Sequence, residues 1–303
     1  MKTSKLLITV IIFSIVYGNA NAQFYGLQRA VQRGVERAVE KKVEEKTEEI
    51  VSKEIDKSYD KAEEQRARSE AETKTNAKVA NISDEIPEVG SSPYTPSESE
   101  FAFFAMKKGA VQVFASKDAN GKITSQVRNT IKEITGSKNA FAIIYEGEVL
   151  DANGKPADKD NPIILNYRVV VKDGIMYLDM KGMFGGMEGL DGDMQMSGTV
   201  MKIPNNLSVG QSLDDAALNI KVGFMNLSVI ITERKCLAIE SVTVEAGTFR
   251  GYKVSQKAST TAMGSKTEST TLTWYAKGVG TVKTETYDKN GKLLSIQELI
   301  VNR

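Results

Sequence analysis

Four turn sequences punctuate the C-terminal two-thirds of this chain and limit what it can fold into. They are "DANGK" at 118–122 and again at 151–155, "KDG" at 172–174, and "DKNGK" at 288–292. In each D-x-N-G-K, Asn and Gly are expected to supply the positive-φ residues of a tight connection. Between the turns come short runs of β-branched and aromatic residues, such as "AIIYEGEVL", "IILNYRVVV", "TTLTWYAKG" and "LLSIQELIV". Helical periodicity is nearly absent from Phe101 onward, so residues 100–303 read as mainly β. The expected fold is an antiparallel sheet domain, built as a curved sheet, a sandwich or a part-open barrel. Its roughly 200 residues suffice for one core.

The region before it differs. Residues 1–22, "MKTSKLLITVIIFSIVYGNANA", place Lys2 and Lys5 ahead of an apolar run and end in Ala20-Asn21-Ala22. This is the pattern of a cleaved signal peptide, and the run is shorter than the ~20 residues needed to span a bilayer. The mature chain is therefore expected to be exported, with no transmembrane segment, to the periplasm, the outer membrane or the exterior. Residues 23–80 are rich in charge, and Leu27, Val31, Val35, Val39 and Val43 recur every four residues. With Lys41→Glu45, Glu49→Lys53 and Glu64→Arg68 as opposite-charge pairs, the pattern predicts a long charged amphipathic helix. A four-residue step winds around a helix rather than forming a heptad seam. Such a helix can dock on its own domain or associate with itself or an envelope partner. Residues 81–99 hold three of the six prolines together with Ser, Gly and acids, the composition of a flexible linker.

Absences narrow the chemistry. The chain has no His, which excludes His-based triads and His-built metal centres. Its single Cys236 cannot close an internal disulfide, and it sits in the strand-like "SVIITERKCLAIESV", where a small buried hydrophobe is expected. The formal charge of +1 becomes −1 once Lys2 and Lys5 are removed, which gives no electrostatic case for nucleic acid. No motif announces an enzyme, and no cofactor is implied.

Residues 176–201, "MYLDMKGMFGGMEGLDGDMQMSGTVM", contain seven of the eleven methionines. Met176, Leu178 and Met180, and likewise Met194 and Met196, alternate with polar residues and read as inward positions of two strands. The connection between them holds Met183, Phe184, Met187 and Leu190 on a glycine-rich backbone. Thioethers select Cu(I), but four glycines in 182–189 disfavour the helix that would bring the sulfurs together. An apolar, adaptable flap is the preferred reading, which makes Met183, Phe184, Met187 and Leu190 candidate ligand-binding residues and leaves no metal site. Asp214 and Asp215 read as solvated turn acids. Gly109, Gly210, Gly247, Gly278 and Gly280 fit turns or bulges, and Trp274 fits the core with its N–H on a carbonyl.

The segments "FAFFAMKKGAV" (101–111), "IPNNLSVGQSLDDA" (203–216), "VEAGTFRGYKV" (244–254) and "WYAKGVGTVKTETYDKNGKLLS" (274–295) occur in that order. Over about 95–303 the chain resembles the TapB-like family of exported envelope proteins, a branch of a larger group of unknown function in Gram-negative bacteria. The resemblance implies a β-rich fold and an exported home, and it supplies no activity. Two functions are therefore expected to compete. One is a non-catalytic module that binds an apolar small molecule or peptide. The other is a structural or assembly protein that associates through residues 23–80.

Overall fold

A computed structural model describes residues 86–100, 102–157, 159, 162, 164–178, 194–222, 225–262 and 265–303. The expected signal peptide, the expected long helix and the flap 182–193 lie outside the described residues. Within them the chain forms thirteen strands and a single 3-10 turn at Glu98–Glu100. The strands are β1 (Val111–Asp118), β2 (Ile123–Ser137), β3 (Ala140–Leu150), β4 (Ile164–Lys172) and β5 (Ile175–Leu178). They continue as β6 (Met194–Gly198), β7 (Met201–Pro204), β8 (Ala216–Val222), β9 (Met225–Val244) and β10 (Gly247–Ala262). The last are β11 (Ser265–Ala276), β12 (Gly280–Asp288) and β13 (Leu293–Asn302).

All thirteen join one sheet in the order β6-β8-β9-β10-β11-β12-β13-β1-β2-β3-β4-β5-β7. Every pairing is antiparallel. Of the three architectures expected, the sandwich is excluded because it needs two sheets; the strands form one large antiparallel sheet that is not closed into a barrel. β6 and β7 stand at opposite edges, yet only Thr199 and Val200 separate them in sequence. Three Cα steps of 3.8 Å reach at most about 11 Å. The sheet must therefore curl until its two edges meet at that corner, without hydrogen bonding edge to edge. Thr199 holds the corner: its N–H donates to Ala217 O (2.9 Å) and its hydroxyl accepts from Ala217 N (2.8 Å).

The turns form where expected, with one correction. In the three D-x-N-G-K loops only the glycine is at positive φ: Gly121 at 83°, Gly154 at 76° and Gly291 at 79°. The asparagines are not, because the aspartate carboxylate organises the loop instead. Asp118 Oδ1 accepts from Asn120 N and Lys122 N, Asp151 Oδ1 from Asn153 N and Lys155 N, and Asp288 Oδ1 from Asn290 N and Lys292 N. The residues before it stay out of the positive-φ region, and one glycine closes the loop. These bonds, that from Lys155 N foremost, hold the Asp151 carboxyl below its usual range. At 172–174 both Asp173 (φ 51°) and Gly174 (φ 75°) are left-handed, giving a two-residue hairpin between β4 and β5.

Residues 86–99, the described part of the proline-rich segment, pack against the sheet. Tyr94 N donates to Ile134 O (3.0 Å), Gly136 N donates to Ser92 O (2.8 Å), and the Tyr94 ring lies 5.7 Å from that of Phe141. Glu100 anchors the end of this strap. Its carboxylate accepts from the Tyr94 hydroxyl, from Ser97 N and Oγ, and from Asn139 N at 2.8–3.0 Å. The chain then dives inward, burying Ala102, Phe103, Ala105 and Met106. Phe103 meets Tyr252 edge-on (5.0 Å) and Tyr275 (6.0 Å), so this plug bridges into the main core.

Candidate functional site

Beside the plug the curled sheet leaves a cleft that is partly open to solvent; the space it encloses is small, about 40 Å³. Its apolar wall comes from the strands flanking the methionine-rich stretch. Met176 and Leu178 of β5 and Met201 and Ile203 of β7 face into it, and all four are buried. The inward alternation expected for Met176 and Leu178 is observed. Met176 pairs with Ile203 and Leu178 with Met201, which sets the four side chains on one face. Met180, Met183, Phe184, Met187 and Leu190 lie outside the described residues, and so do the side chains of Met194 and Met196.

The second wall is aromatic. Tyr145 of β3 and Tyr167 of β4 are register partners whose rings stack at 4.8 Å and 4°, with Phe104 5.8 Å from Tyr145. The Tyr145 hydroxyl donates to Ala105 O at 2.9 Å, so the plug and the wall fix each other. Burial drives the phenols of Tyr145, Tyr167 and Tyr275 above the usual tyrosine range. They are therefore neutral donors and packing surfaces near neutral pH.

The polar groups lining the cleft are all uncharged. Gln112 Nε2 donates to Val279 O (2.9 Å) and Asn302 Oδ1 (3.1 Å). Asn129 fits because Gly147 has no side chain: a Cβ there would lie 3.0 Å from Asn129 Oδ1. Thr281 and Gly280 complete the lining. Gly280, at φ 105°, lets the backbone of Phe103 and Phe104 pass within 3.4 Å of where its Cβ would sit. The other glycines assigned to turns or bulges, Gly109, Gly210, Gly247 and Gly278, also have positive φ.

The cleft face continues into a strip that the sequence did not advertise. Gln256, Thr271, Thr286 and Ser295 are register partners across β10 to β13. Thr273, Thr284, Gln297 and Ser116 form a second row across β11, β12, β13 and β1. All eight are buried. Tyr275 and Phe114, two residues along from Thr273 and Ser116, line the cleft, so strip and cleft share a face.

The opposite face carries charge. Trp274 is buried there between the ammonium groups of Lys253 (4.7 Å) and Lys283 (5.4 Å), and its N–H donates to Glu240 Oε1 (2.8 Å). The ring is core-like as expected, but its partner is a carboxylate rather than a carbonyl. Lys283–Glu285, Lys253–Glu240 and Lys117–Glu298 extend the paired surface. Cys236 is fully buried, as expected of a packing residue, and burial raises its thiol pKa. Asp214 and Asp215 are exposed.

The buried methionine strands and the 244–254 hairpin fall inside one family match. The model of the DUF3108-like family matches residues 107–299. The chain belongs to the DUF3108-like family. The match does not confirm the TapB-like resemblance; the DUF3108-like family is what it shows. Two solved structures share the DUF3108-like chain's fold at a TM-score of 0.56 each, and both cover 67% of it and 99% of their own length. One, at 20% identity, is a Bacteroides fragilis protein described as exported, with a YmcC-like fold. The other, at 22%, is a Parabacteroides distasonis protein described as a lipoprotein. Among curated proteins none matches.

Proposed function

We propose that this is an exported cell-envelope protein that binds an apolar, lipid-like or peptide ligand without catalysis. The observation that carries the reading is the cleft. Met176, Leu178, Met201 and Ile203 and the stacked pair Tyr145 and Tyr167 line one apolar cleft that opens to solvent. Methionine walls adapt to ligands of differing shape. Export is supported by the signal-like N-terminus and by the description of both structural relatives. The described lining holds no group that titrates near neutral pH, which favours binding over acid–base chemistry.

In this reading Met183, Phe184, Met187 and Leu190 form the lip, since the segment that holds them joins β5, a wall of the cleft, to β6. The test is a titration with the neutral dye N-phenylnaphthylamine, whose fluorescence rises in apolar surroundings. The wild type should bind it, and the triple variant Met183→Ser, Phe184→Ser, Met187→Ser should bind about tenfold more weakly, roughly 1.4 kcal/mol. No binding by the wild type sinks the reading, and equal binding by the variant removes the lip. Assembly through residues 23–80 instead predicts an oligomer, with no retained ligand in a native mass spectrum.

A further inference from the structure

We infer that the ligand is a non-ionic amphiphile: an acyl or alkyl chain joined to an uncharged, hydroxyl-rich head group. The chain occupies the aromatic and methionine cleft, and the head lies along the strip of buried hydroxyls and amides beside it. The inference rests on the cleft being the binding site.

The strip is unusual chemistry for the inside of a curled sheet. Eight contiguous positions on β10, β11, β12, β13 and β1 carry only Thr, Ser and Gln, and each is more than nine-tenths buried. A strand face turned to a dry core takes Val, Ile or Leu, because a buried hydroxyl or amide without a partner is destabilising. Thr284 donates to Thr273 within the strip at 3.3 Å. Two members have no partner for a side-chain oxygen: Thr271 Oγ1, on a residue with no exposed surface, and Gln297 Oε1. They sit in adjacent register rows. Polar atoms buried without partners on the ligand face are groups that a ligand hydroxyl can satisfy.

Charge decides the class. Among the described residues the buried charged side chains are Glu100 and Arg234, and neither belongs to the strip or the cleft lining. Glu100 is bound into the strap. Arg234 donates to Asp214 O (2.6 Å) and Lys202 O (3.3 Å), and its field reaches Tyr275 at one end of the cleft. The lysines of β10, β12 and β1 at Lys253, Lys283 and Lys117 pair with glutamates on the opposite face. A carboxylate or phosphate head on the strip would thus be desolvated with no cation beside it. A polyol head would exchange its water hydrogen bonds for those of Thr, Ser and Gln.

The test is competition against bound N-phenylnaphthylamine at neutral pH by three probes with the same twelve-carbon chain, each below its critical micelle concentration. These are dodecyl maltoside, laurate and lauryl phosphate. Dodecyl maltoside should displace the dye at least tenfold more tightly than either anion. The double variant Thr271→Val, Gln297→Leu removes the two unpartnered oxygens while keeping shape, so it should fold and melt at or above the wild-type temperature. It should lose that tenfold preference while binding the dye unchanged. Laurate or lauryl phosphate binding as tightly as the maltoside overturns the inference, with Arg234 then the anchor to examine. So does an unchanged preference in the double variant. Failure of the dye itself to bind is a different outcome, which removes the cleft as a site and the inference with it.

Discussion

At the scale of single residues, the structure depends on side chains that are missing as much as on those present. Gly251 of β10 lies under Trp274. A Cβ there would stand 2.9 Å from Val242 Cγ1 and 3.1 Å from Trp274 Cδ1, closer than packed carbons tolerate. Trp274 cannot swing aside cheaply, because Glu240 holds its N–H and two lysines flank its ring. Gly251→Ala should therefore destabilise by about 1–3 kcal/mol, the usual cost of overpacking. A thermal melt followed by circular dichroism checks this, and an unchanged midpoint would show that the neighbours give way. The same residues show why part of the site was illegible. In "TTLTWYAKG", Leu272 and Trp274 look like the inward set, so Thr271 and Thr273 look like surface. The register puts Thr273 and Tyr275 on the cleft face and Trp274 on the other. Alternation tells which residues share a face, but not which face is inside.

At the scale of elements, turn chemistry and strand content could be read directly, since Asp, Asn, Gly and alternating β-branched residues act locally. The strap could not. Its proline-rich composition reads as a linker, and its docking depends on Glu100, a contact that spans from the strap to Asn139 in the β2–β3 hairpin. Burial pushes the Glu100 carboxyl upward. The bonds from Asn139 N, Ser97 N and Oγ and Tyr94 Oη outweigh it and bring the carboxyl down to about 2 from an ordinary 4.5. A folded-state pKa below the unfolded one adds stability that is complete above pH 4.5 and fades as pH falls toward 2. Glu100→Gln should accordingly cost on the order of 2 kcal/mol at pH 7. The gap between variant and wild type should narrow through pH 3. Melts of both proteins across that range decide it: a gap that stays constant would mean that shape rather than charge holds the strap.

For the whole molecule, strand order was the part that no local signal could reveal, and it governs how the domain coheres. The last strand in sequence, β13, lies between β12 and β1 in the middle of the sheet. Val111 and Arg303 exchange backbone hydrogen bonds at 2.7 and 3.0 Å, joining the start of the first strand to the chain's final residue. Without β13 the sheet divides into a block from β6 through β12 and a block from β1 through β7, linked by the chain connections β5–β6, β6–β7 and β7–β8. Buried Leu299 and the polar Ser295 and Gln297 would leave with it, exposing Phe114 and Val282 on either side. Because this pairing closes a loop of nearly the whole domain, it carries a large entropic penalty before any contact rewards it. The full chain should therefore fold slowly, in milliseconds to seconds, and in one cooperative step with β13 pairing. Truncation after Lys292 should abolish the cooperative thermal transition and the dispersed amide spectrum of a folded sheet. A truncated protein that still melted sharply would show that the blocks fold independently, and that β13 only docks onto a structure already made.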